Sequence, residues 1–151
     1  MTHLRLTTFI AAPPETCFDL VLNVDVQRVL GNGMEAVAGT TSGTLRRGDL
    51  VTWRARHFGL VWRMTSKIVE VERPDCFYDE MQDGPFAFWR HRHEFLRAPD
   101  GTRMIDDVHF GAPLGPVGWI TERVVLDAYM RRLLTQRNKD LKTRAERQSA
   151  A

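Results

Sequence analysis

Apolar and polar positions alternate along most of the first 111 residues, then give way to a repeat of three and four residues. Between His3 and Ala11, Leu4, Leu6 and Thr8 share one side and Arg5, Thr7 and Phe9 the other, which predicts a strand. Ala12-Pro13-Pro14-Glu15 stops it. Proline suits a first helical turn and Glu15 suits the positive end of a helix dipole, so Cys17, Phe18, Leu20, Val21 and Leu22 read as the apolar positions of a short helix. Asn23 to Leu30 reads as a second, closed by Gly31-Asn32-Gly33. Six strands are then predicted: Met34–Thr40, Leu50–His57, Leu60–Glu72, Cys76–Gln82, Ala87–Leu96 and Thr102–Gly111. Turns such as Phe58-Gly59, Arg73-Pro74-Asp75 and Ala98-Pro99-Asp100-Gly101 join them, which argues an antiparallel meander. Ala112-Pro113-Leu114-Gly115-Pro116 ends the sheet. Leu126, Met130, Leu133, Leu134, Arg137 and Leu141 then recur at helical spacing, with Val117, Ile120 and Val124 extending the apolar surface, so Val117 to Arg147 reads as one helix about 45 Å long. The prediction is a single α+β domain over residues 1–151, frayed at about 148–151.

Side chains alternate across a strand, and the face carrying Arg or Lys is taken as solvent-facing. Arg90 and Arg92 then point out while Trp89, His91, His93 and Phe95 point in. On the last strand Arg103, Asp107 and His109 point out and Met104, Asp106, Val108 and Phe110 point in. The same rule places Val51, Trp53, Ala55 and His57 inward, then Leu60, Trp62, Met64, Ser66 and Ile68; on Cys76 to Gln82, which carries no Arg or Lys, the more apolar set Phe77, Asp79 and Met81 is taken as inward. The polar exceptions on this apolar face are His57, Asp79, His91, His93 and Asp106. Neighbouring strands bring side chains on one face to about 5 Å, so two carboxylates and two imidazoles can converge.

Composition narrows the classes without choosing among them. The 151 residues are 43% apolar and 26% charged, with a formal charge of +2. Arg131, Arg132, Arg137, Lys139, Lys142, Arg144 and Arg147 crowd the last helix but alternate with Asp140 and Glu146, which reads as a solvated face rather than a nucleic-acid surface. No stretch approaches the about 20 apolar residues of a membrane span, and no secretory leader is evident. Cys17 and Cys76 form no CxxC pair and read as reduced apolar fillers in a cytoplasmic protein. No GxGxxG, GxxxxGK[ST] or GxSxG occurs, so dehydrogenase, P-loop and serine-hydrolase readings have no support.

The order strand, two short helices, six-stranded meander, long helix resembles the SRPBCC superfamily, also called START-like or helix-grip. Phe9-Ile10-Ala11-Ala12-Pro13-Pro14-Glu15-Thr16-Cys17-Phe18 opens the likeness. It continues through Phe77-Tyr78-Asp79-Glu80-Met81-Gln82-Asp83-Gly84-Pro85-Phe86, Trp89-Arg90-His91-Arg92-His93-Glu94-Phe95 and Gly101-Thr102-Arg103-Met104-Ile105-Asp106-Asp107-Val108, within the polyketide cyclase/dehydrase and lipid-transport branch. The resemblance implies a curved seven-stranded sheet wrapped around the C-terminal helix, and a cavity between them for lipids, polyketides, sterols or other apolar ligands. It also implies that Trp119 borders the cavity mouth, where it would act as a gate. Family likeness does not select a reaction.

Three readings of the polar cluster stay open: a satisfied structural network, a binding or acid–base site, and a metal site built on His91-x-His93. In the second, an imidazole held by Asp106 or Asp79 keeps a pKa near neutrality and moves protons, as polyketide cyclisation and dehydration require. The candidate catalytic residues are His91, His93, Asp106 and Asp79. The candidate ligand contacts are Trp53, His57, Trp62, Met64, Phe77, Met81, Trp89, Phe95, Met104, Val108, Phe110 and Trp119, although the aromatics equally suit a core. The first expectation is a binding protein for a small hydrophobic ligand, with a cyclase or dehydratase and a protein-interaction module as alternatives. No cofactor, metal or nucleic-acid partner is expected, and either a monomer or a homodimer fits.

Overall fold

Period-two patterning and closely spaced turns produce β1 (Thr2–Ile10), α1 (Pro14–Val21), α2 (Val24–Val29), β2 (Glu35–Gly39), β3 (Leu50–His57), β4 (Leu60–Glu72), β5 (Cys76–Asp83), β6 (Phe88–Ala98), β7 (Gly101–Gly111) and α3 (Trp119–Ala150). The computed structural model describes residues 2–30, 34–57, 59–112 and 119–151, apart from the side chains of 119–123. The predicted turns Gly31-Asn32-Gly33, Phe58 and 113–118 therefore lie outside the described residues, as do the side chain of Ile120 and the proposed gate of Trp119.

The strands form one open, curved sheet in the order β1-β7-β6-β5-β4-β3-β2, antiparallel throughout. The meander runs from β2 to β7, and β1 closes the other side by pairing with β7, Leu4 opposite Val108 and Leu6 opposite Asp106. Local chemistry sets the short helices. Pro14 occupies the first turn of α1. Asn23 caps α2, its Oδ1 accepting from the amides of Asp25 and Val26. Gly39 ends β2 with φ +72°, where a Cβ would lie 2.1 Å from the Leu50 carbonyl oxygen, so only glycine fits.

The last helix divides in two. Its C-terminal half buries Leu141 and Ala145 in a core shared with Ile10, Phe18, Phe77, Phe95 and Met104. Further back, Leu134 joins Leu4, Trp89, Val108 and Phe110. Cys17 and Cys76 are free and buried. The last helix extends to Ala150. Two expectations change. Val124 is exposed rather than part of the apolar stripe. Leu60, placed inward by alternation, is 59% exposed because it sits at the end of the β3–β4 hairpin, where strand parity no longer faces the core.

Candidate functional site

Beneath the N-terminal half of α3 the sheet is not filled. A cavity of about 700 Å³ is walled by Trp53 and His57 on β3, Trp62, Met64 and Ser66 on β4, Phe77 and Asp79 on β5, and Trp89, His91 and His93 on β6. The helix closes it with Leu126, Tyr129, Met130, Leu133, Leu134 and Arg137. Most of these side chains are apolar, and the polar groups gather in two places.

At one, His57 Nδ1 meets the Tyr129 hydroxyl at 2.7 Å, tying the β3–β4 hairpin to α3. Trp62 Nε1 donates to the His57 carbonyl at 2.9 Å. Burial lowers the His57 pKa, favouring the neutral ring.

At the other, register creates a network. His91 faces Asp79 on β5 and Val108 on β7, and His93 faces Phe77 and Asp106. His91 Nε2 bonds Asp106 Oδ1 and His93 Nε2 bonds Asp79 Oδ2, each at 2.7 Å. The two imidazoles stack with centroids 3.6 Å apart, and Phe77 stacks on His93 at 4.1 Å. Asp106 is fully buried and further receives Arg137 Nη2 at Oδ1 and Asn138 Nδ2 at Oδ2, both at 2.7 Å. Arg137 Nη2 and Nε also donate to Asn138 Oδ1, at 3.0 and 3.2 Å. Three charged or polar donors thus saturate one carboxylate, which is how a buried charge is tolerated.

Electrostatics follow from that wiring. Burial alone would raise the Asp106 pKa, but the Arg137 charge and the His91 hydrogen bond outweigh it and hold the carboxyl well below the usual range. Burial likewise pushes Asp79 up, and the His93 hydrogen bond with the neighbouring positive groups brings it below its ordinary value. Burial, reinforced by repulsion from His91, lowers His93 to about 4 despite its bond to Asp79. This corrects the expectation that a carboxylate partner keeps such an imidazole near neutrality: for His93, desolvation of the cation exceeds the pairing. An ionised Asp79 only accepts, so His93 Nε2 carries the proton and Nδ1 keeps a lone pair. That Nδ1 has no hydrogen-bond partner and stands 3.6 Å from Asp106 Oδ1. Ligand atoms of Asp79, His91 and His93 lie within 4.8 Å of one another, but both Nε2 atoms are already engaged by carboxylates.

The profile of the family described as polyketide cyclase/dehydrase and lipid transport matches residues 1–146. The chain belongs to this family. Among curated proteins none matches it. Solved structures share the fold of this family member at low identity. A START superfamily protein from Mycobacterium smegmatis superposes with a TM-score of 0.73 at 17% identity, covering 96% of this chain and 97% of that one. Protein TTHA0849 from Thermus thermophilus gives 0.71 at 17%, covering 95% and 99%. Ginseng major latex-like protein 151 from Panax ginseng gives 0.69 at 12%, covering 95% and 97%.

In this family member the candidate contacts separate into wall and core. Trp53, His57, Trp62, Met64, Phe77 and Trp89 line the cavity, with Asp79, His91 and His93. Phe95, Met104, Val108 and Phe110 face inward but not onto the cavity: α1 and the C-terminal part of α3 press on the first two, and Leu4, Trp89 and Leu134 enclose the others. Met81 packs beside the second cluster and does not reach the wall. Asp106 sits behind the imidazoles, not on the cavity. Strand parity selects a face, whereas lining depends on what covers that face.

Sequence reasoning also misses groups. Arg137 reads as part of a solvated basic face, yet it is buried and borders the cavity. Its signal is its place in the apolar stripe between Leu134 and Leu141. Tyr129, Met130, Leu133 and Phe86 also line the wall. No described helix is long and apolar enough to cross a membrane.

Proposed function

We propose that this protein binds a small, largely apolar molecule, of lipid or polyketide size, between β3–β6 and the first half of α3. The observation that carries the reading is the cavity itself: about 700 Å³, mostly apolar, with Asp79, His91, His93 and Arg137 at one wall. A well-packed domain does not keep such a void for stability, because every missing contact costs dispersion energy. An apolar pocket with a few convergent polar groups is the usual form of a small-molecule site. The polar wall would orient a hydroxyl or carbonyl at one end of the ligand, while Trp53, Trp62 and Met130 cover its apolar body. A scaffold serving only protein contacts has no use for this interior space. Mass spectrometry of gently purified protein should release a stoichiometric apolar species, and the emptied protein should bind a fluorescent apolar probe saturably. Neither species nor saturable binding would end the proposal.

A second reading rests on the His93–Asp79 bond at the wall. A neutral imidazole held by a carboxylate can take a proton as a general base during cyclisation or dehydration of a polyketide, a weak one at a pKa of about 4. Asp106 suits this role less, since its oxygens are already occupied by Arg137, Asn138 and His91. His93→Gln should then abolish turnover of an added polyketide and spare probe binding. Unchanged turnover would leave binding alone.

A further inference from the structure

On the opposite face of the sheet, alternation along β1 and β7 brings together three side chains that sequence separation hides. Leu4, Val108 and Phe110 are buried, so His3, Asp107 and His109 project outward. His3 lies directly opposite His109, and Arg5 opposite Asp107. The two imidazole rings stack at 4.1 Å with only 9° between their planes. Both Nε2 atoms turn toward one oxygen, Asp107 Oδ1: His3 Nε2 hydrogen-bonds it directly and His109 Nε2 stands 3.4 Å away. The ligand atoms of all three residues lie within 4.8 Å of one another.

We propose that His3, Asp107 and His109 form a surface site for a divalent transition metal ion of the Zn²⁺ type. Two imidazole nitrogens and one carboxylate oxygen suit Zn²⁺ and its neighbours, not Mg²⁺ or Ca²⁺, which take oxygen ligands. Bonds of about 2.0–2.1 Å to a tetrahedral ion place its ligand atoms about 3.3–3.4 Å apart. The His109–Asp107 separation already has that value. His3 reaches it by a side-chain rotation that exchanges its direct hydrogen bond for a metal bond. Its side chain is 48% exposed and has room to turn.

The supporting contacts favour this use of Asp107. Arg5 Nη1 approaches the other oxygen, Oδ2, at 3.5 Å, which orients the carboxylate and leaves Oδ1 for the ion. The neighbouring cations on β6 are paired elsewhere, Arg90 with Glu80 and Arg92 with Glu94. With three protein ligands the fourth position stays open to water, the arrangement of a reactive rather than a closed structural site. This site lies across the sheet from the cavity and does not depend on the ligand-binding proposal.

Calorimetric titration of the EDTA-stripped full chain with Zn²⁺ alone tests it. One equivalent should bind, and His3→Ala and His109→Ala should each weaken binding at least about tenfold, since a lost direct ligand costs no less than a lost outer partner. Asp79→Asn, in the cluster facing the cavity, should leave stoichiometry and affinity unchanged. Co²⁺ should give the intense visible absorption of a tetrahedral ion, lost in His109→Gln. Circular dichroism identifies any variant that fails to fold, and the His→Gln pair then replaces the His→Ala pair. No Zn²⁺ binding, binding indifferent to both histidines, or binding lost in Asp79→Asn would each overturn the site.

Discussion

Arg137 on α3 donates to Asp106 on β7 across 2.7 Å, with side chains 9% and 0% exposed. The pair joins the long helix to the sheet at the level where packed core gives way to cavity.

The first prediction concerns that attachment. Asp106→Asn leaves a buried guanidinium without its nearest carboxylate, and breaking a buried ion pair from one side costs about 3–5 kcal/mol. Urea unfolding should report a loss of that order. Replacing both partners, Asp106→Leu with Arg137→Met, should cost less than the two single changes summed, because no unpaired charge remains. A loss below about 1 kcal/mol for Asp106→Asn would contradict the buried pair.

Acid stability follows from His93. Its pKa falls from the ordinary 6.5 to about 4 on folding, so the unfolded chain binds the extra proton between these values. Stability is therefore complete above about 6.5 and declines as pH falls toward about 4. Asp79 and Asp106, both lowered below 3.8, act in a more acidic window: their stabilisation is present above 3.8 and disappears as pH falls through their folded values. Melting temperatures measured across the upper window should fall with acid in the parent protein and fall less steeply in His93→Gln, the remaining slope coming from His57, whose pKa burial also lowers. Equal slopes in both would refute the assignment to His93.

Ala55 on β3 borders the cavity, so a larger side chain there occupies void rather than packed core. Ala55→Phe should reduce affinity for an apolar fluorescent probe about tenfold, equivalent to about 1.4 kcal/mol, with little change in melting temperature. Undiminished probe affinity would place the binding elsewhere.

The bond between His57 and Tyr129 closes the β3–β4 hairpin onto α3. Tyr129→Phe removes its hydroxyl and should cost about 0.5–1.5 kcal/mol. Hydrogen exchange should speed up at the hairpin end, around His57 and Leu60, while β6 and β7 keep their protection. Uniform loss of protection would instead indicate global destabilisation.

Much of this is legible without coordinates because strands and helices have fixed periods. The bounds of β3 and β4, the inward set Trp89, His91 and His93, and the outward set Asp107 and His109 all follow from alternation and the position of arginines. What escapes is anything needing a distant partner. Arg137 looks like a surface residue in a run of basic side chains, and only Asp106, 31 residues away, explains its burial. His93 looks like an imidazole tuned toward neutrality by a carboxylate, but the degree of desolvation depends on Phe77 stacking on one side and His91 on the other.

Sequence alone determined the order of elements, the class of fold and, away from the β3–β4 hairpin end, which side of β3 to β7 turns inward, because those depend on backbone geometry and nearest neighbours. Tertiary structure decided which inward residues meet a void and which meet α1 or α3. It also decided where the buried carboxylates find their donors and which two distant histidines share one aspartate on the outer face. These depend on strand register and on how the long helix lies across the sheet, both set by contacts between residues far apart in the chain.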